Sequence, residues 1–163
     1  MKYIQTGRTR SDAKRKVNVL VDDSDYAYLS QFNWQVDKFD TVQRHTKFSN
    51  GVKGHILIHR DILKPNKNQE VDHIDGNRLN NQRSNLRFAT SSQNKINRGA
   101  RKDNQSGYKG VSWHKQRDKW TARIMANGKY QHLGLFENIL DAVTAYNEAA
   151  LKYQGSFAWT NSV

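Results

Sequence analysis

Apolar positions along this chain come in short runs broken by Gly, Asn and Asp, the pattern of small strands joined by turns. Val17-Asn18-Val19-Leu20-Val21 is rich in β-branched residues and runs into acidic turn residues, so it predicts a strand. Tyr26, Leu29 and Phe32 fall at near-helical spacing and predict a short helix over Asp25 to Phe32. Trp34 to Val36, Thr41 to Phe48 and Val52 to His59 predict a small antiparallel set. Its last two members are joined by Ser49-Asn50-Gly51, and Asn-Gly is a strong hairpin signal. Pro65 marks a polar loop over Lys64 to Gln69. Glu70 to Asp75 predicts a strand, Gly76 to Ser84 a polar loop rich in Asn and Arg, and Asn85 to Ala89 a second short strand. Thr90 or Ser91 can cap a helix reaching about Asn97.

Residues 99–107 form a basic polar linker. After it, Tyr108 to Trp113, Trp120 to Met125 and Tyr130 to Leu133 have strand character, and Asn127-Gly128 turns between the last two. Trp120, Ala122 and Ile124 alternate with Thr121, Arg123 and Met125, so one face can pack inward while the other faces out. Asn138 to Tyr153 predicts a helix with Ile139, Ala142, Val143, Tyr146, Ala149, Ala150 and Tyr153 on one face, stopped by Gly155. The pattern is α+β. A small β-rich N-terminal region leads into a strand-loop-strand-helix segment, and a three-stranded antiparallel sheet packed on one helix follows. The expected domains are 1–98, with its chemical segment at 70–98, and 108–161. No internal repeat is visible.

Composition adds charge. Net charge is +12, and Lys and Arg outnumber Asp and Glu 13 to 8 over residues 1–70, 5 to 2 over 71–98 and 9 to 5 over 99–163. The excess is therefore spread through the fold and is not a basic tail. It favours a polyanion, because each Lys or Arg placed on a phosphate releases a condensed counterion. The absence of cysteine excludes disulfides and thiolate zinc sites and agrees with a reducing cytoplasm. No apolar run reaches the roughly 18 residues of a membrane span, and Met1 to Gln5 lacks the apolar core of a signal peptide, so neither a membrane partner nor export is expected.

The densest chemistry lies in Val71-Asp72-His73-Ile74-Asp75-Gly76-Asn77, followed by Asn85 and then by Asn94 on the predicted helix. Two strands and a helix can gather Asp72, His73 and Asn94 around one point. Neutral His73 can take a proton from water. Asp72 and Asn94 offer hard oxygen ligands of the kind that suit Mg²⁺ or Mn²⁺, which keep waters and accept phosphate oxygens; zinc would prefer more His or Cys. An isolated Asp-His pair is ordinarily a surface turn, and it is the complete run that gives the pair weight. Asp75 reads equally as support for His73 or as a turn former. Arg78, Arg83 and Arg87 could each contact phosphate or be solvated charges, and His59 and Arg60 read as structural.

This segment resembles the HNH nuclease motif, whose active site is called ββα-metal, in the version that ends in Asn and occurs in nucleases of phages and mobile introns. The run Val71 to Asn94 matches throughout, with Asn80-Asn81, Asn85-Leu86 and Gln93-Asn94 in register, and Leu57-Ile58-His59-Arg60 resembles the segment that leads into the motif. The resemblance implies His73 as general base and Asp72 and Asn94 as ligands of a divalent metal, Mg²⁺ or Mn²⁺. It implies that Asn85, grouped with His73 in the catalytic set, bridges the loop by hydrogen bonds. The departure from the commonest pattern is the missing third His, which bears on metal affinity more than on reaction type.

Tyr108 to Asn161 resembles the plant Apetala/ethylene-response-factor DNA-binding domain. The matching pieces are Tyr108-Lys109-Gly110-Val111, Trp120-Thr121-Ala122-Arg123-Ile124, His132-Leu133-Gly134-Leu135-Phe136, Asp141-Ala142, Ala145-Tyr146-Asn147 and Ala149-Ala150. The resemblance implies DNA-facing roles for Lys109, Ser112, His114, Arg123, Met125, Tyr130 and His132. Few of these are Arg, so the plant target sequence does not carry over. Lys115 and Arg117, in the first turn, are plausible phosphate contacts. Trp113 and Trp120 read as core residues, and His114 and His132 lack metal partners in the sequence.

Together these features predict a metal-dependent endonuclease of duplex DNA, of homing type and phage-encoded, acting in the host cytoplasm. One such site cuts one strand, so a double-strand break requires dimerisation or two nicks, and the sequence leaves monomer or homodimer open. The alternatives are a DNA-binding regulator with a relic nuclease fold, and an RNA-binding or ribosome-associated protein that fits the charge but not the motif.

Overall fold

The computed structural model describes residues 1–7 and 16–163. It forms two compact units, Met1–Ser91 and Ser92–Val163.

The first unit is built from small antiparallel pieces. Strands β1 (Lys2–Gln5) and β2 (Asn18–Val21) pair with Ile4 opposite Val19. Helix α1 (Asp23–Leu29) follows. Strands β3 (Gln35–Val36), β4 (Val42–Lys47) and β5 (Lys53–Leu57) form the expected set in the order β3-β4-β5. Helix α2 (Ile58–Leu63) leads to strands β6 (Glu70–His73) and β7 (Leu86–Ala89), which pair antiparallel and run into helix α3 (Ser91–Ile96). One core joins these pieces: Ile4, Val19, Val21, Leu29, Trp34, Val42, Ile58, Ile62, Val71 and Leu86. Trp34 can be fully buried because its indole Nε1 donates to the Leu29 carbonyl at 2.8 Å, leaving no polar atom unanswered.

Two elements differ from expectation. The strand predicted over Val52 to His59 stops at Leu57, and Ile58 opens α2. Ile58 and Ile62, one helical turn apart, both reach the core. Lys64, at φ 49°, ends the helix by donating its N–H to the Arg60 carbonyl. Strand β1 carries too little pattern to predict; it exists because Ile4 can pair across to Val19 in the core.

In the second unit, strands β8 (Val111–His114), β9 (Lys119–Ala126) and β10 (Lys129–Phe136) form an antiparallel sheet in the order β10-β9-β8, with helix α4 (Ile139–Gln154) across one face. Ala122 and Ile124 of β9 meet Ala142, Val143, Tyr146, Ala149 and Ala150 of α4, as the alternation requires. Asn138 caps α4, its side-chain oxygen accepting from the Leu140 N–H at 2.8 Å. Asn127 and Gly128 both hold positive φ, so the β9–β10 turn is of the primed kind.

Strand β8 begins at Val111, later than Tyr108, because Gly110 sits at φ +77°. A Cβ there would lie 2.2 Å from the Tyr146 ring, so the helix packs against bare backbone at this point. Trp120 lies against the core as expected, but Trp113 does not: it is 44% exposed and meets Trp120 edge-on at 5.1 Å. Tyr153, expected on the buried face of α4, is 42% exposed. Among the described residues no helix is long and apolar enough to cross a membrane.

Candidate functional site

Strand β6 carries Asp72 and His73 on adjacent positions, both buried, at 5% and 7% exposure. Asp72 faces Arg87 across the β6–β7 pair, and Arg87 closes on its Oδ2 at 2.7 Å. This is a charge-assisted contact inside the unit.

The loop between β6 and β7 is rich in Asn because it satisfies itself. The Asp75 carboxylate accepts the Asn77 N–H at 2.7 Å and the side-chain amides of Asn80 and Asn85, each at 2.9 Å. Asn85 returns the contact: its Oδ1 accepts the Asp75 N–H at 3.0 Å, and its Nδ2 also donates to the Asn80 carbonyl at 2.8 Å. Burial would push the Asp75 carboxyl up, but these donors outweigh it and hold the group below its ordinary value. Asp75 thus forms the turn, and its charge also acts on His73.

The rest of the first unit clamps this loop. The Leu20 N–H donates to Leu79 O, and the Asn81 N–H donates to Leu20 O, each at 2.8 Å, so the edge of β2 takes the loop on as a partial strand. The Asp22 carboxylate accepts the Arg83 N–H at 2.8 Å and the Gln82 side chain at 3.2 Å. Arg83 forks onto Asp25 at 2.7 and 2.8 Å. Residues 1–70, open in sequence between bracing and substrate contact, include a brace for this loop.

His73 lies within this frame. Its Nε2 is 3.1 Å from Oδ1 of Asn81, which is fully buried. The His59 ring, on α2, stands edge-on to it at 5.1 Å. Burial lowers the His73 imidazole below its ordinary value, against the opposing pull of the Asn81 contact, Asp75 and Asp72. Burial, then the charges of His73, Arg60 and Arg78, lowers His59 to about 3. Both rings are therefore held neutral near pH 7.

The expected site residues separate accordingly. Asp72, His73 and Asn85 come together in the first unit. Asn94 lies half-buried on α3, in the second unit as the chain divides. Of the three arginines expected near phosphate, Arg83 is bound to Asp25 and Arg87 to Asp72, while exposed Arg78 donates to Phe39 O at 3.2 Å and Thr41 Oγ1 at 3.1 Å. Among the described residues no three His, Cys, Asp or Glu side chains cluster as a protein-only metal cage would require. Asp72 and Asn94 carry hard oxygen donors by type, the kind that fits a cation retaining much of its water.

In the second unit, Ser112, Arg123, Met125, Tyr130 and His132 are exposed on the sheet face away from α4. His132 stands opposite Arg123, and Tyr130 opposite Met125; the Arg123 guanidinium lies 5.3 Å from the Tyr130 ring centre. His114 is half-buried at the end of β8, and Lys115 and Arg117 are exposed in the turn beyond it. Ser112, Trp113, Lys115 and Arg123 also line an open groove of about 580 Å³ with Asn104 and Trp120. Lys109, expected among these outward residues, is not one of them. Its ammonium donates to the Ile96 carbonyl, and burial lowers it to about 8. Asn161 holds its backbone at both polar groups, accepting from the Lys109 N–H and donating to the Lys109 carbonyl.

Asn81, Asp22 and His59 were not legible as site residues. Their neighbours are distant in sequence, and the only signal was the matching of Asn80-Asn81 and of Leu57 to Arg60 to the segments of the resembled motif.

Residues 64–96 match the sequence profile described as HNH endonuclease. Protein 3.8 of Escherichia phage T7 is 39% identical over 92 residues, covering 56% of this chain and 75% of that protein. An uncharacterized HNH endonuclease of Acanthamoeba polyphaga mimivirus is 34% identical over 93 residues, or 57% of this chain and 47% of its own length. Over the C-terminal region, the ethylene-responsive transcription factor WRI1 of Arabidopsis thaliana is 40% identical across 58 residues, 34% of this chain and 14% of that protein. The chain thus spans under half of the mimivirus protein and a small part of the plant one.

Proposed function

This chain belongs to the HNH endonuclease family and carries an AP2-like C-terminal region, and from that premise we propose that it is a metal-dependent endonuclease that hydrolyses phosphodiester bonds of duplex DNA. One observation carries the proposal: a buried imidazole, held neutral, beside a buried carboxylate on consecutive positions of β6.

The chemistry follows from those groups. His73 takes the proton from the attacking water, and its lowered proton affinity keeps the ring able to accept near pH 7. Asp72, oriented by Arg87, and Asn94 would hold Mg²⁺ or Mn²⁺. The family generally depends on a divalent metal, and such an ion supplies positive charge to the scissile phosphate and the leaving oxygen. Asn85 and Asp75 keep the loop closed beneath His73. Arg78, exposed on the same loop, is the arginine we assign to phosphate. Arg83 and Arg87 act through the carboxylates they hold.

We assign the nuclease to residues 1–98, sequence reading to 108–161, and residues 99–107 to the linker. Arg123, Tyr130, His132, Ser112 and His114 face base edges, and Lys115 and Arg117 the backbone. The enzyme is of the homing type and acts in the host cytoplasm. A single site of this kind nicks one strand.

Purified protein with Mg²⁺ or Mn²⁺ should nick supercoiled plasmid. His73→Ala should abolish nicking and leave DNA affinity unchanged. Undiminished nicking by that variant overturns the mechanism, and binding without any metal-dependent cleavage points to a DNA-binding regulator instead.

A further inference from the structure

We propose that Asn81 is a positioning residue that fixes the tautomer of His73, and that the N-terminal β1–β2 hairpin serves the reaction by holding Asn81 in place. The inference rests on His73 being the general base.

A neutral imidazole carries its proton on one nitrogen and its basic lone pair on the other, so a base works only if the lone pair is on the side facing the water. Asn81 Oδ1 lies 3.1 Å from His73 Nε2. An amide oxygen only accepts, so this contact requires the proton on Nε2 and leaves the lone pair on Nδ1. The amide cannot simply be turned round, because its Nδ2 donates to the Arg78 carbonyl at 2.9 Å. Rotation would set two oxygens against each other there and a donor against the imidazole. Asn81 has no exposed surface, so water cannot replace either contact.

What holds Asn81 lies outside the motif. Its N–H donates to Leu20 O, and the Leu20 N–H donates to Leu79 O, both at 2.8 Å. Leu20 stands between Val19 and Val21, which are fully buried, so the β2 edge cannot shift without opening the core. The path is a chain of direct contacts: core, β2, Asn81, His73. Nδ1 is thereby assigned as the atom that takes the proton.

Nitrogen-15 NMR of histidine-labelled, metal-free protein tests this without reference to activity. Wild-type His73 should show a protonated Nε2 and an unprotonated Nδ1. The reverse pattern, or a mixture of both, overturns the proposal before any variant is made. Asn81→Leu, similar in size but without an acceptor, should lose the single tautomer. Its nicking rate should fall roughly tenfold to a hundredfold with DNA affinity retained. Asn81→Asp keeps an acceptor toward Nε2 and should keep the Nε2–H tautomer, but it loses the donor to the Arg78 carbonyl, so its rate should lie between those of wild type and Asn81→Leu. An Asn81→Leu protein that folds and still holds one Nε2–H tautomer sinks the inference. Should His73→Ala nick normally, the assignment of the base fails, and the tautomer measurement still decides what Asn81 does.

Discussion

The β6–β7 loop and the outer face of the β8–β10 sheet both concentrate polar residues, and they hold them in opposite ways. In the loop, Asp75, Asn80, Asn81 and Asn85 direct their hydrogen bonds at one another, at His73 and at nearby backbone. On the sheet, Ser112, Arg123, Tyr130 and His132 stand in solvent, and the fold asks little of them. Chemistry needs a reacting group held in one orientation, which burial and a satisfied network provide. Reading a duplex needs reach and exposed donors, which a pleated face provides without disturbing its core. Substitutions should therefore damage stability and function together in the loop, and function alone on the sheet.

The strongest challenge to that contrast is Arg87→Ala. It removes the cation from a carboxylate only 5% exposed, so the first unit should lose about 3–5 kcal/mol in chemical denaturation. A loss below 1 kcal/mol would mean that the site is not a stability element. In the second unit the sensitive position is under the sheet, not on its face. Gly110→Ala meets Tyr146 and a positive φ, and should cost roughly 2–4 kcal/mol by thermal melting of that unit.

Acid should also separate the units. His59 has a folded value of about 3 against an ordinary 6.5, and His73 is lowered in the same direction. The unfolded chain takes these protons first as pH falls below 6.5, so the first unit keeps full stability above that pH. His59 should then cost the first unit up to about 1.4 kcal/mol per pH unit as pH falls toward 3, with His73 adding a loss in the same direction. Urea midpoints at pH 7 and pH 5 measure this, and His59→Phe should flatten the slope. The smallest effects belong on the sheet face. Arg123→Ala and Tyr130→Ala should shift stability by under about 0.5 kcal/mol. Arg123→Ala should weaken DNA binding by about 1–3 kcal/mol and relax sequence preference. Large destabilisation there would erase the contrast.

The same difference governs how much could be read in advance. Of the outward sheet residues, Arg123 and Met125 follow from a period of two over Trp120 to Met125, whereas Ser112, Tyr130 and His132 were expected only from the resemblance to the plant domain. Lys109 broke the reading because Gly110 turns the backbone just where β8 was expected to begin. At the nuclease site, Asp72 and His73 were visible as a pair on a strand. Arg87 was visible as a charge but not as the partner of Asp72, because cross-strand register depends on the loop length between them. Helix α2 was hidden in a run that also suits a strand, and with it went the position of His59.

Local order settles what lies within a few residues: the hairpin at Asn50-Gly51, the cap at Asn138, the alternation of β9 and the adjacent Asp72 and His73 on β6. Those features arise from backbone preference and side-chain period, which are properties of short segments. The folded chain alone brings Leu20 to Asn81, Asp22 to Arg83 and His59 to His73. These contacts form because burying Val19, Val21, Ile58 and Ile62 in one core carries their polar neighbours to the loop, and no short stretch of sequence contains both ends of such a contact.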